Sequence, residues 1–397
     1  MGTPEFAVAT LRALVEKKYN VVAVVTQPDK PVGRHGSVLQ PSAVKQYALE
    51  QGIPVLQPEK MKDPAFVEEL RSYQADLQVV VAFRMLPEVV WSMPRFGTFN
   101  VHAALLPQYR GAAPINWAVI NGETQTGVTT FFLDHDIDTG RVIMQRPFDI
   151  PDDADVEYVY DGLMHLGAQI CLDTIQKIEE GNGFVETLPQ EEMIPVGTTL
   201  YPAPKIFKDT CRINWNQPAK KIYDFIRGLS PYPGTWTNML IGDQQPQVLK
   251  IYQSAKSQRP VNGEPGTLVI EKNRLFVNTA DYQLEILQLQ PAGKVADAVA
   301  LVPVELDVKR RPGRAQVDAA EQLFAVVRAD VDAFERELQR VVDRSQHLVA
   351  EPVVVGSAQD VVRDVAVFFV IKHAEVHGQR GQRQQREDAR GRAKYDQ

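Results

Sequence analysis

Apolar side chains recur at helical spacing between residues 7 and 18, at Ala7, Leu11, Leu14 and Val15. The run Val21-Val22-Ala23-Val24-Val25-Thr26 then continues unbroken, as a strand buried on both faces does. The alternation repeats along the chain: helix 41–51 before strand 53–56, helix 64–73 before strand 77–82, and strand 97–102 before helix 110–121. Strands alternating with helices predict a Rossmann-like, doubly wound α/β sheet whose ligand sits at the carboxyl ends of its strands. Runs 127–134 and 141–149 read as antiparallel strands, and 155–180 as a long helix that Gly181-Asn182-Gly183 terminates. Residues 183–204, rich in Pro and Thr, read as a linker. Beyond it, helix 216–228 precedes short alternating runs at 247–253, 266–271, 274–279 and 283–289, which predict a small β-barrel. The division is therefore 1–182 for the first domain, 183–204 for the linker, 205–294 for the second domain and 295–397 for a tail.

Composition narrows the class. Of the 397 residues 44% are hydrophobic and 23% charged, as in ordinary globular chains. The two cysteines, Cys171 and Cys211, lack CxxC spacing, which points to buried thiols in a reducing compartment and away from a zinc site or a disulfide framework. No basic leader precedes an apolar core, and no apolar run approaches the ~18 residues of a membrane span, so the expected location is the cytoplasm and no membrane partner is expected. A net charge of −7 speaks against nucleic acid on average. The average hides two basic clusters: Lys30, Arg34 and Lys45 within 26–45, and Lys205, Lys208, Arg212, Lys220, Lys221 and Arg227 within 205–227.

The tail differs from everything before it. Residues 1–294 hold 15 Lys and 12 Arg, whereas 295–397 hold 3 Lys and 13 Arg, with 21 Val against the single Ile371. Its end, 378–386, is polar and of low complexity. A shifted reading frame or a misassembled fusion is the expected origin of this tail.

The candidate chemistry lies in Phe96-Gly97-Thr98-Phe99-Asn100-Val101-His102. A strand through it projects Thr98, Asn100 and His102 from one face. Asn100 offers an amide to a carbonyl oxygen that becomes an oxyanion, and His102 can give or take a proton near neutral pH. Asp138, in Asp134-His135-Asp136-Ile137-Asp138-Thr139-Gly140, can orient the imidazole and balance its charge. Taken singly, each has an ordinary reading as a turn cap, a core histidine or a loop carboxylate.

Their context changes that reading. Asn100 to Ile115, with Leu105-Leu106-Pro107 and Tyr109-Arg110-Gly111-Ala112-Ala113-Pro114, Thr126-Gly127-Val128-Thr129 and Asp138-Thr139-Gly140 resemble the 10-formyltetrahydrofolate-dependent formyltransferases. Met1 to Ala7, Thr26-Gln27-Pro28-Asp29 and Pro204-Lys205-Ile206 are similar to signatures of the branch that acts on methionyl-tRNA, so the resemblance runs to about Lys294. It implies an oligonucleotide-binding-like (OB-like) barrel, 10-formyltetrahydrofolate as co-substrate, initiator methionyl-tRNA as acceptor and a monomer without a metal. It implies Asn100, His102 and Asp138 as catalytic, and Ala104, Leu105, Leu106 and Pro107 as the wall of the folate pocket, with Ala104 where the family often has Ser. Lys30, Arg34 and Lys205 are the implied tRNA contacts, the first two in an insertion at 26–37.

The resemblance also implies a short apolar strand ahead of Gly2-Thr3-Pro4-Glu5-Phe6, where Met1 already stands, so the expected true start lies upstream. Three other readings compete: a formyltransferase for a nucleotide or sugar amine, a non-catalytic RNA-binding module, and a nicotinamide-dependent oxidoreductase. The last needs a GxGxxG fingerprint that the chain lacks.

Overall fold

The computed structural model describes residues 1–32, 38–240, 246–271, 274–291 and 300–301. The chain divides into two units, Met1–Val327 and Arg328–Gln397. The second unit, and with it most of the expected tail, lies outside the described residues, as does Arg34.

The first half contains α1 (Glu5–Glu16), β1 (Val24–Val25), β2 (Lys30–Val32), β3 (Val38–Gln40), α2 (Ala43–Glu50), β4 (Val55–Leu56), α3 (Pro64–Ser72), β5 (Gln78–Val81), α4 (Glu88–Trp91), β6 (Thr98–His102), α5 (Pro114–Ile120), β7 (Gln125–Phe132), β8 (Val142–Asp149) and the 25-residue α6 (Val156–Glu180). Helix starts follow local chemistry. Ser42, Asp63 and Asp155 each accept a backbone N–H of the first turn, and Pro64 fills a position that needs no N–H donor. Strand order is β5-β6-β7-β8, with β5 and β6 parallel and the later pairs antiparallel, while β1 pairs β4 in parallel.

Met1 and Gly2 bridge these two sheets. Gly2 N donates to Val25 O at 3.1 Å and Val81 N to Met1 O at 2.9 Å. Beyond that bridge, a cavity of about 500 Å³ separates β1 from β5, lined by Leu11, Leu14, Val22, Leu77 and Val79 among others. Of the expected strand 21–26 only Val24–Val25 is paired, with Val55–Leu56 of β4. The apolar positions fall on two sides of the sheet: Val81, Phe99 and Val101 pack with α1 and α6, whereas Val80 packs with Phe66, Leu70 and Val90 of α3 and α4. Thr98, on the β6 face opposite Phe99, donates to Trp91 O at 2.6 Å.

The second half begins with α7 (Ala219–Arg227) and continues through β9 (Thr235–Met239), β10 (Gln247–Pro260), β11 (Leu268–Glu271), β12 (Arg274–Asn278), β13 (Tyr282–Pro291) and β14 (Ala300–Leu301). The strands follow the order β11-β12-β13-β10-β9, with β14 on β13. Ile222, Ile226, Leu249, Ile251, Leu275, Leu284 and Ile286 form its own core. Sequence patterning locates β10 to β13 but stops β10 seven residues early and omits β9. The pairing of β14 with β13 carries the sheet past the expected boundary at residue 294. Each half buries one thiol: Cys171 in α6 and Cys211 in a 3-10 turn. Among the described residues no helix is long and apolar enough to cross a membrane.

Candidate active site

β6 is a parallel neighbour of β5 and an antiparallel neighbour of β7, and it ends at the carboxyl edge of the sheet. Its period-2 alternation sends Phe99 and Val101 into the core and sets Asn100 and His102 on the other face. His102 is 6% exposed and lies edge-on to Phe131. Its Nε2 is 3.0 Å from the carbonyl oxygen of Tyr109. A carbonyl can only accept, so Nε2 carries the hydrogen, and Nδ1 faces Asp138 Oδ2 at 3.8 Å. That distance is too long for a direct hydrogen bond. The nearer partner of Asp138 Oδ2 is the Gly111 amide, which donates to it at 2.9 Å. The Tyr109 carbonyl thus fixes the tautomer of the imidazole that Asp138 is expected to orient. Asn100 Oδ1 lies buried with no hydrogen-bond partner, an atom left free for a ligand group.

Loop 108–113 is held by the segment expected to be a plain linker. Tyr109 N donates to Tyr201 O, Ala203 N to Arg110 O, and Ala112 N to Ala203 O. Gly111 has φ +131°, and a Cβ there would stand 2.4 Å from Ala203 O, so the close pass requires glycine. The phenol of buried Tyr109 donates to Glu123 Oε1 at 2.5 Å, and burial followed by that carboxylate pushes its pKa up. Thus helix α5 begins only at Pro114, four residues after the expected start at 110, because residues 110–113 serve the linker instead.

In the turn expected to wall a folate pocket, Ala104, Leu106 and Pro107 are buried and Leu105 is half-buried against Gly127. Several of its backbone groups are already bonded within the protein. Thr129 Oγ1 donates to Ala104 O at 2.6 Å and accepts from Leu106 N at 3.0 Å, while Gln145 Nε2 donates to Leu106 O at 2.7 Å. What the turn still offers a ligand is mainly its apolar outline. Thr129 and Gln145 carry no motif of their own, and sequence reasoning missed them. Thr129 falls within a quoted signature, which was the one available signal.

Of the expected tRNA contacts, Lys30 and Lys205 fall among the described residues. Lys30 is exposed on β2, which pairs with β3 as an unforeseen hairpin bearing the exposed Val38 and Leu39. Lys205 is exposed with Nζ 5.5 Å from the centre of the exposed Phe207 ring. The basic clusters are smaller than their sequences suggest. Lys45 pairs with Asp29 at 2.7 Å, whose carboxyl that bond holds below the usual range. Arg227 is buried on Asp224 and Ala154 O, and Lys220 also pairs with Asp224. Lys205, Lys208, Arg212 and Lys221 keep no carboxylate partner among the described residues. No group of three His, Cys, Asp or Glu that could hold a metal ion occurs among those residues.

Comparison with known proteins bears on both halves. Residues 1–175 match the family model described as formyl transferase, and 205–301 match the formyl transferase C-terminal domain. The chain is 61% identical over 295 residues to a methionyl-tRNA formyltransferase from Parabacteroides distasonis, covering 74% of this chain and 90% of that protein. It is 58% identical over the same length to the enzyme of that name from Bacteroides fragilis, with the same shares covered. A solved sugar 3N-formyl transferase, in the presence of dTDP and 5-N-formyl-THF, has the same fold with a TM-score of 0.51 at 20% identity, over 74% of this chain and 97% of its own.

Proposed function

The chain belongs to the formyl transferases, in the methionyl-tRNA branch, and from that premise we propose how its own residues carry formyl transfer to the amino group of methionyl-tRNA. The product is the formylated initiator that starts translation. The co-substrate is a folate, and we assign 10-formyltetrahydrofolate as the donor. The unpartnered, buried Asn100 Oδ1 beside the His102–Asp138 pair is the observation that carries the site reading.

The methionyl amine attacks the formyl carbon, the carbonyl oxygen becomes an oxyanion, and the bond to the folate nitrogen then breaks. Asn100, whose amide ends are interchangeable by a flip, donates to that oxyanion through its NH2 group. His102 takes the proton released by the amine on Nδ1, where the Asp138 carboxylate balances the new charge, and hands it to the departing folate nitrogen. Because Nε2–H is held by the Tyr109 carbonyl, the ring presents Nδ1 without rotating. Leu105, Leu106 and Pro107 give the folate an apolar wall.

The first half is read as a Rossmann-like domain (1–182) and the second as an OB-like barrel whose sheet extends the 205–294 assignment to Leu301. Lys30, Arg34 and Lys205 would meet tRNA phosphates, and the enzyme would act as a cytoplasmic monomer. Substituting His102→Ala is expected to abolish formylation of charged initiator tRNA while sparing folate affinity. Asn100→Ala should cost on the order of 2–4 kcal/mol in kcat/KM. Wild-type turnover by His102→Ala, or equal use of free amines and charged tRNA, would refute this assignment.

A further inference from the structure

Gln190 opens a 3-10 turn, Gln190–Met193, in the segment between the two halves, and it is fully buried. Every hydrogen-bonding position of its amide is filled. Nε2 donates to Asp138 O at 2.9 Å and to Gly140 O at 2.8 Å, while Oε1 accepts from Arg110 Nε at 3.0 Å and Nη2 at 2.7 Å. One side chain thereby joins the loop that carries Asp138 to the loop that carries Tyr109 and Gly111.

Those two loops are the ones whose separation matters. Asp138 stands at φ +57°, in the left-handed region, and its backbone carbonyl is held there by the Gln190 amide. Residues 134–137 just before it are exposed, with the His135 ring edge-on to Trp91. From the other side Gly111 is pressed on Ala203, and its amide takes the Asp138 carboxylate. The backbone of Asp138 hangs on Gln190 and its carboxylate hangs on Gly111.

We propose that Gln190 is a positioning residue for formyl transfer: its amide fixes the Asp138–Gly140 loop against Arg110 and so sets the gap between the Asp138 carboxylate and His102 Nδ1. This inference rests on the reading of His102 and Asp138 as the catalytic pair. Misplacement of a reacting group by about 1 Å can cost roughly 100-fold in rate, and Gln190 touches none of the reacting atoms. Its loss should therefore lower kcat and leave substrate binding alone.

The test uses the full chain with 10-formyltetrahydrofolate and charged initiator tRNA. Gln190→Met keeps the length and buries no polar atom. Gln190→Glu keeps an acceptor for Arg110 but no donor for the two carbonyls, and it covers the case in which the Met variant fails to fold. The expected result is a fall in kcat of roughly 10- to 100-fold in each folded variant, with both KM values within about twofold of wild type. The His102 imidazole resonances, read by selective 15N-histidine labelling, should shift at the same time. Unchanged kcat, a change confined to KM, or lowered kcat with unmoved His102 resonances would each overturn the proposal, the last by reducing Gln190 to general structure. His102→Ala measured in parallel separates the two levels. If it is inactive while the Gln190 variants are normal, only the role of Gln190 falls, and if it retains turnover, the catalytic reading falls first.

Discussion

The placement of Asn100 and His102 on one strand face is legible in the sequence because two-residue alternation along a strand is a local signal. Asp138 was legible as a carboxylate in the right motif, but its first partner, the Gly111 amide, was not, since contacts across 27 residues leave no periodic trace. The same holds for Thr129, which bonds two backbone groups of the 104–107 turn and accepts Gln145 Nε2 at 2.9 Å. Thr129→Val keeps the shape and leaves Ala104 O and Leu106 N without that partner. The expected cost is about 1–3 kcal/mol of stability for the buried groups left unpaired, together with a raised KM for folate as the turn loosens. Thermal melts and folate titrations check both, and a variant matching wild type in each would show the turn to be held by other means.

At the level of elements, α1, α3, α6 and the hairpin β7–β8 were predictable from periodicity and caps. The segment 183–204 was not, because Pro and Thr mark a linker equally well whether it hangs free or lies along a loop. Here it bridges twice, at Gly111–Ala203 and at Val142–Leu188. The hairpin β2–β3 leaves no trace in the sequence because each strand has three residues, too short for any pattern. Its exposed Lys30 and the exposed Lys205 are the described members of the expected tRNA contacts. Each should contribute roughly one counterion to the salt dependence of tRNA binding. Replacing both Lys30 and Lys205 by Ala should therefore lower the slope of log kcat/KM against log salt by about two and leave folate binding unchanged. An unaltered slope would return both lysines to solvated surface.

Across the described chain, the two halves meet where α5 lies against α7 and through a set of polar links. Lys256 and Lys220 pair with Asp152, Tyr223 OH donates to Asp152 O, Arg227 Nη1 donates to Ala154 O, and Asn116 Nδ2 donates to Gly228 O. The hydrogen bond from Lys256 is the leading cause that lowers the Asp152 pKa. A carboxylate lowered in the folded state adds stability above its unfolded pKa, and that addition disappears as pH falls through the folded value. Asp152 is 65% exposed, so the effect should stay below about 1 kcal/mol. Asp152→Asn should thus lower Tm slightly at pH 7 and match wild type near pH 2, and an equal deficit at both values would mean that the pair does not act through charge. The two buried thiols, finally, divide the molecule between them. Burial pushes Cys171 up to about 12 and raises Cys211 as well, so neither forms the reactive thiolate while its surroundings stay closed. Labelling by an alkylating reagent must wait for local opening, and each cysteine is a built-in clock for its own half. Mass spectrometry of partially labelled protein should show two separate rates in mild urea if the halves open independently, and a single shared rate if the contacts between them make them open as one.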